Sequence, residues 1–182
     1  SNNFKTGHYK HMLVAPWFMR KRYLQLITKE MQNAKAGKKA YILAKMNSLV
    51  DEEMIDKLYL ASQSGVKIKL IIRGICCLVP GVKGLSENIE VLSIVGDFLE
   101  HSRIYHFHNN GDTRTYSGSA DMMVRSFDKR LESLFKVEAP LLEKQLMNIL
   151  SYNLRDNANS YTMQEDGTYV AKSPKEGEAK FN

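Results

Sequence analysis

The feature that most constrains this fold is a strand, helix, strand succession between residues 40 and 73. An apolar run from Ala40 to Met46 predicts a buried strand, and the run Val66–Arg73 predicts a second one. Between them lies an amphipathic helix pattern that ends at Gly65, with apolar residues at three- and four-residue steps: Met54, Ile55, Leu58 and Ala61. This order favours a βαβ unit with parallel strands and a right-handed crossover, so the expected fold class is α/β.

Polar side chains stand where the two predicted strands end. Lys45 and Asn47 belong to the end of the first strand, and Arg73 to the end of the second. Ligands of open parallel sheets bind beyond the carboxyl ends of the strands, so these three are candidate binding residues, although strand ends also hold ordinary loop residues. The intervening turn has Ser48 and, three residues later, Asp51, which matches a capping box at the start of the helix.

The rest of the chain adds elements on both sides of this unit. A basic helix is predicted from Phe18 to Ala36, with an apolar face of Leu24, Ile27, Met31 and Ala34. Strands are predicted at 89–95, 103–108, 113–116 and 131–137, a hairpin turn at Asn110-Gly111, a helix from about 140 to 150, and two short β-like runs at 160–164 and 168–171. We expect residues 1–3 to be a cloning scar or linker, residues 4–171 a domain of a longer protein, and residues 172–182 a disordered tail.

Charge is distributed unevenly along a chain of ordinary globular composition. Hydrophobic residues make up 43% and charged residues 25% of the 182 residues, which excludes a disordered chain. The net charge is +6, yet residues 1–40 hold nine Lys or Arg and a single acid, Glu30. A basic segment beside a near-neutral body suits a polyanionic partner, while a solvated basic helix face explains it more simply.

Cysteine content and missing signatures exclude several protein classes. Cys76 and Cys77 are the only cysteines and are adjacent, so neither a disulfide framework nor a cysteine zinc site is expected. No apolar run approaches the roughly 20 residues of a membrane span, and no signal peptide is visible. The signatures of P-loop kinases and of zinc proteases are absent. These features favour a cytoplasmic protein.

Histidines are the main candidates for chemistry. His106 and His108 are two residues apart on a predicted strand and share one face, but no acid or cysteine nearby completes a metal site, so we expect exposed histidines. His101 opens the same strand before Arg103, and the hairpin returns Ser119 towards it. An imidazole, a guanidinium and hydroxyl groups at one sheet end suit phosphoryl chemistry. From spacing alone, a strand cap explains His101 equally well.

Six segments, in the right order, resemble the polyphosphate kinase family of the histidine-phosphorylating type. They are Lys45–Asp51, Ile72–Cys77, Gly84–Ile89, Ser93–Gly96, Leu99–Tyr105 and Ser119–Asp121. The similarity extends from about Phe4 to Ala171 and concerns only the C-terminal part of that family. It implies a phospholipase D-like mixed sheet flanked by helices.

The resemblance also implies an activity. The family transfers the terminal phosphate of ATP reversibly to polyphosphate through a phosphohistidine on the preceding domain, which has no counterpart here, so the isolated fragment is expected to be an inactive half-site. His101 matches the second active-site histidine, and Arg73 matches a residue that contacts ATP phosphates. Arg103 takes the lysine position of the phospholipase D motif. Further expected phosphate-binding residues are Lys45, Asn47 and Ser119.

One departure from the phospholipase D motif bears on the alternatives. The motif ends in an Asp where this chain has His108, so the acid expected to orient a catalytic histidine is missing there. This weakens the alternative of a phospholipase D-like phosphodiesterase half-site. Glu132 is a substitute orienting group with no spacing rule behind it. A second alternative is a non-catalytic polyanion-binding module that uses the basic first helix.

Partners follow from the same resemblance. It implies ATP or ADP and polyphosphate as substrates, with Mg²⁺ arriving on ATP because no acidic cluster suits a metal site made by the protein. The preceding domains of the same chain are expected partners, and the full-length protein is expected to form a homo-oligomer. Nucleic acid is not an expected partner. The expected location is cytoplasmic, with peripheral membrane association left open.

Overall fold

One mixed β-sheet of nine strands joins the described parts of the chain. A computed structural model of the 182-residue chain describes residues 9–14, 17–94, 103–118, 133–137 and 160–171. The strands are β1 (Tyr9–Val14), β2 (Tyr41–Met46), β3 (Lys67–Ile72), β4 (Ile89–Ile94), β5 (Arg103–Phe107), β6 (Arg114–Gly118), β7 (Ser133–Val137), β8 (Ser160–Met163) and β9 (Tyr169–Ala171). The helices are α1 (Trp17–Lys35) and α2 (Glu52–Gln63).

The predicted βαβ unit is confirmed at the centre of the sheet. The strand order is β1-β7-β6-β5-β2-β3-β4-β8-β9. Strands β2, β3 and β4 are parallel, and each of the other described pairs is antiparallel. Strand β2 pairs with β3 in unbroken register from Tyr41 opposite Lys67 to Met46 opposite Ile72. The expected α/β class with a mixed sheet and flanking helices is therefore confirmed.

Helix α1 begins and ends within one residue of its predicted bounds, but its buried face differs from the prediction. Of the four predicted apolar residues, Ile27 is fully buried, whereas Leu24, Met31 and Ala34 pack at the edge of the core. The centre of the buried face is Tyr23, whose ring lies 4.9 Å from that of Tyr105, 6.0 Å from that of Phe107 and 5.9 Å from that of Tyr116. Apolar spacing alone did not include this tyrosine or the buried Glu30, which follows it about two turns along the helix.

Helix α2 follows its prediction except at its first turn. Its apolar face is buried as expected, at Met54, Ile55, Leu58 and Ala61. The predicted capping box is wrong, because Asp51 is the N-cap residue and its carboxylate accepts a hydrogen bond from the main-chain N–H of Met54 over 3.1 Å. A carboxylate at the N-cap serves the exposed N–H groups of the first turn directly. Ser48 is instead buried in the loop before the cap.

The hairpins also match their predictions. A short turn at Asn109–Gly111 joins β5 to β6, and Asn109, Asn110 and Gly111 all have positive φ, as such a turn requires. The two C-terminal runs form the β8–β9 hairpin. The expectation of exposed strand histidines is wrong for His106, which is 2% exposed. The predicted helix at 140–150, Glu132, the N-terminal residues 1–3 and the tail at 172–182 lie outside the described residues.

Candidate functional site

The carboxyl ends of β2 and β3 continue as two loops that run side by side. We call residues 47–51 and 73–77 the strand-end loops. The main-chain N–H of Gly74 donates to the main-chain oxygen of Asn47 over 2.6 Å. Further along, the N–H of Leu49 donates to the oxygen of Ile75 over 2.8 Å, and the N–H of Cys77 donates to the oxygen of Leu49 over 2.9 Å. The parallel pairing thus extends past both strands and holds the two loops together.

A glycine is needed where the strand-end loops approach each other most closely. A Cβ atom on Gly74 would lie 2.9 Å from the main-chain oxygen of Asn47 and 3.0 Å from the Oγ of Ser48. Real Cβ atoms essentially never come within 3.0 Å of such a neighbour, and the oxygen belongs to backbone that is itself hydrogen-bonded. Gly74 therefore allows the loop that carries Asn47 and the loop that carries Arg73 to lie directly side by side.

Four of the six predicted site residues lie at this edge of the sheet. Asn47 is half-buried and Arg73 is exposed, one on each strand-end loop. Arg103 is the first residue of β5, just before Ile104, which pairs with Lys45 of β2. Adjacent strands lie about 4.8 Å apart, so β5 starts within side-chain reach of the strand-end loops. The other two predicted residues, His101 and Ser119, lie outside the described residues.

Lys45 differs from the others in its burial and in its face of the sheet. It is 5% exposed and is one residue short of the end of β2. Residues that pair directly across strands point to the same face, and faces alternate along each strand. Lys45 therefore shares a face with Ile104, whereas Arg103 shares the helix-covered face with Tyr105. The fold therefore brings Lys45 to the same edge as a buried side chain, on the face opposite to that of Arg103.

An ion pair that sequence reasoning did not find supports the first strand-end loop. Arg20 of α1 lies with its Nη2 atom 2.7 Å from Oδ2 of Asp51 and its Nη1 atom 2.9 Å from Oε2 of Glu53. Asp51 is the last residue of that loop as well as the N-cap of α2. An acid next to the start of a helix was a sequence signal that Asp51 could have a structural role. Its partner Arg20 could not be found in the same way, because it is 31 residues away in the chain.

The two strand histidines lie at the opposite edge of the sheet. The rings of His106 and His108 stack on Tyr41 at centroid distances of 5.8 and 4.6 Å, which confirms that they share a face. Nδ1 of His106 is 2.8 Å from Oγ1 of Thr115. His108 is five residues along the chain from Arg103, or about 17 Å in an extended strand. The group that an acid at position 108 would orient, His101, lies outside the described residues, so this expectation stays a prediction.

Metal-binding side chains are not concentrated at this site. Within the described ranges, no group of three or more His, Cys, Asp or Glu side chains is placed to hold a metal ion. The polar groups brought to the edge are mainly cationic side chains, which repel a divalent cation and offer it no oxygen ligand. Likewise, no helix in the described part of the chain is long and apolar enough to cross a membrane.

Comparison with known proteins identifies the family. The sequence profile described as polyphosphate kinase C-terminal domain 2 matches residues 12–182. The chain belongs to this family. The polyphosphate kinase of Thermosynechococcus vestitus is 50% identical to it over 97% of the chain, which corresponds to 25% of that relative's length. This domain therefore spans about a quarter of the curated relatives that it matches.

Solved structures agree with the assignment to polyphosphate kinase C-terminal domain 2. The crystal structure of polyphosphate kinase from Porphyromonas gingivalis matches 95% of this chain and 26% of its own, with a TM-score of 0.90 and 40% sequence identity. Nuc from Salmonella typhimurium, a phospholipase D family member, matches 78% of the chain with a TM-score of 0.52 and 13% identity. That second likeness concerns the fold alone and confirms the phospholipase D-like architecture.

Proposed function

We propose that this domain supplies one half of the active site of a polyphosphate kinase, which transfers the terminal phosphoryl group of ATP reversibly to polyphosphate. The observation that carries the proposal is the gathering of Asn47, Arg73 and Arg103 at the carboxyl-end edge of the parallel strands, in a chain of this family. Its relatives are named polyphosphate kinase.

The charges at this edge suit the handling of phosphate. A phosphoryl group in transfer spreads negative charge over its outer oxygens, so catalysis depends mainly on positioning and on positive charge. Arg73 and Arg103 each offer a planar fork that matches two phosphate oxygens. Asn47 adds an amide donor beside them. Lys45 contributes positive charge from beneath the edge, where its burial reduces screening by water.

Two further residues complete the proposal. The phosphoryl group first passes from ATP to a histidine nitrogen of the preceding domain, which breaks its bond to ADP, and then from that nitrogen to the terminal oxygen of polyphosphate. His101 assists these steps, either as a general acid or by contacting the phosphates. Ser119 donates a hydrogen bond to a phosphate oxygen. Both assignments rest on the family resemblance and on their positions at the ends of β5 and β6 in the chain.

Cofactor and partners belong to the same proposal. Mg²⁺ arrives on the phosphates of ATP, since the described residues offer it no cluster of ligands. The preceding domains of the full-length chain supply the nucleophilic histidine and close the site. The full-length enzyme is a cytoplasmic homo-oligomer, and peripheral membrane association remains compatible with it.

Turnover by full-length enzyme tests the proposal. The assay follows labelled phosphate from ATP, in the presence of Mg²⁺, into polyphosphate. It compares the wild type with His101→Ala, Arg73→Gln and a control, Lys69→Gln. Lys69 is an exposed residue of β3, the strand that leads into the loop of Arg73. We expect His101→Ala to abolish synthesis and Arg73→Gln to raise the KM for ATP, with Lys69→Gln unchanged. Normal synthesis by a folded His101→Ala enzyme would overturn the assignment of that residue.

A further inference from the structure

We infer that Arg20 is a positioning residue for phosphate binding, because it sets the place of the first strand-end loop and thereby of Asn47 and Arg73. The inference rests on the proposed function of those two residues. Arg20 is on the first turn of α1 and its side chain is 19% exposed. Its Nη2 atom is 2.7 Å from Oδ2 of Asp51, and its Nη1 atom donates to Oδ1 of the same carboxylate over 3.3 Å.

The carboxylate that pairs with Arg20 is buried, and it also caps the N-terminus of α2. The side chain of Asp51 is 1% exposed, and its Oδ1 atom also accepts the N–H of Met54 in the first turn of α2. A buried carboxylate needs a counter-charge, and the positive end of a helix supplies only part of it. Arg20 supplies the rest, since one of its guanidinium nitrogens forms a close ion pair with Oδ2 and the other donates a hydrogen bond to Oδ1.

Main-chain hydrogen bonds connect this anchor to the candidate site. The loop from Asn47 to Asp51 is held rigidly. Leu49 at its centre is fully buried, and both its N–H and its main-chain oxygen are hydrogen-bonded to the second strand-end loop. At the other end of the loop, the oxygen of Asn47 accepts the N–H of Gly74, the residue after Arg73. A shift at Asp51 is therefore transmitted to both phosphate-binding positions.

The second contact of Arg20 provides an internal control. Nη1 also lies 2.9 Å from Oε2 of Glu53, but the Glu53 side chain is 57% exposed. Exposed ion pairs contribute little, because water and salt screen them and two long side chains must be ordered. Loss of Glu53 removes one partner of Arg20 and leaves the anchor on Asp51 intact.

The test compares full-length enzymes that carry Arg20→Gln, Arg20→Lys, Glu53→Gln, Asp51→Asn and the double change Arg20→Gln with Asp51→Asn. We expect Arg20→Gln to raise the KM for ATP about 5-fold and to change kcat less. This fold-change corresponds to about 1 kcal/mol, a coupling energy typical of residues in contact. Arg20→Lys restores most of the loss, and Glu53→Gln has the wild-type KM. Because Arg20 acts through Asp51, Arg20→Gln adds little once Asp51→Asn is present.

Two outcomes would overturn the positioning role. One is a folded Arg20→Gln enzyme with the wild-type KM for ATP, and the other is an equal effect of Arg20→Gln with and without Asp51→Asn. If Arg20→Gln does not fold, Asp51→Asn replaces it, since asparagine keeps an N-cap acceptor. A wild-type KM for ATP in a folded Asp51→Asn enzyme would then overturn the positioning role. Arg73→Gln separates the two proposals. If it raises the KM while Arg20→Gln does not, phosphate binding stands and positioning fails. If Arg73→Gln leaves the KM unchanged, the role of the loop itself is wrong.

Discussion

The main-chain N–H of Gly74 donates to the main-chain oxygen of Asn47 over 2.6 Å, so two loops that follow separate parallel strands are bonded directly to each other. This contact brings the loop that carries Asn47, a candidate phosphate-binding residue, next to the loop that carries a second candidate, Arg73. The distance is short because nothing but hydrogen projects from the Gly74 Cα atom into this gap. The geometry of the candidate site thus depends on a residue that has no side chain of its own.

Gly74→Ala is expected to destabilise the protein. Its Cβ atom would lie 2.9 Å from backbone at Asn47, and relief of such overpacking costs about 1–3 kcal/mol. Thermal unfolding of the variant measures this loss. Because the second close neighbour is the Oγ of Ser48, at 3.0 Å, Gly74→Ala should cost less in a Ser48→Ala background. An equal loss in both backgrounds would show that Ser48 takes no part.

Glu30→Gln is expected to change how stability depends on pH. Glu30 is fully buried, and this desolvation raises the pKa of its carboxyl group above its ordinary value, against the opposing effect of main-chain hydrogen bonds from Asn109 and Tyr41. The folded state therefore holds this proton more tightly than the unfolded state does. Stability falls as pH rises from the ordinary carboxyl pKa through the raised one, and above that range the loss is complete.

A neutral amide at position 30 removes that pH dependence. Its oxygen still accepts the N–H of Asn109, which is 2.8 Å from Oε2 of Glu30. In denaturant unfolding between pH 4 and pH 8, the free energy of unfolding of Glu30→Gln should increase relative to that of the wild type as pH rises. A stability difference that stays constant over this range would contradict the prediction.

Thr115→Val is expected to destabilise the sheet at the edge away from the strand-end loops. Its hydroxyl is 2.8 Å from Nδ1 of His106, and both residues are buried. Removing one partner of a buried hydrogen bond costs about 1–3 kcal/mol, because the other group loses water and gains nothing. Chemical denaturation measures the loss. Thr115→Ser keeps the hydroxyl and should lose less, and equal losses in the two variants would point to packing instead.

The two adjacent cysteines are expected to react very differently. Burial raises the pKa of the Cys76 thiol to about 11, and its Sγ atom lies 3.4 Å from the main-chain oxygen of Leu78. Cys77 is exposed. Since the thiolate is the reactive form, an alkylating reagent at pH 8 should modify Cys77 first in the folded protein. Mass spectrometry of Cys76→Ser and Cys77→Ser variants checks this, and rapid labelling of the Cys77→Ser protein would contradict it.

The central elements were predictable because their signals are local. The apolar run before Met46, the helical spacing from Met54 to Ala61 and the stop at Gly65 each depend on a few neighbouring residues, and the structure confirms all three. Predictions failed where the deciding partner was remote. The cap of α2 fell to Asp51 rather than Ser48. Tyr23 heads the buried face of α1 because the rings of β5 and β6 cover it.

The sequence by itself determined the order of helices and strands, and it determined that Lys45, Asn47, Arg73 and Arg103 stand at strand ends, since periodicity and turn chemistry act over a few residues. Only the tertiary structure decided which of these ends meet. The pairing of β5 with β2 brings Arg103 to the edge that Asn47 and Arg73 share, and the packing of α1 on α2 brings Arg20 to Asp51. Such contacts depend on strand order and helix packing, because the buried apolar surface that fixes both belongs to the whole sheet and not to any one segment.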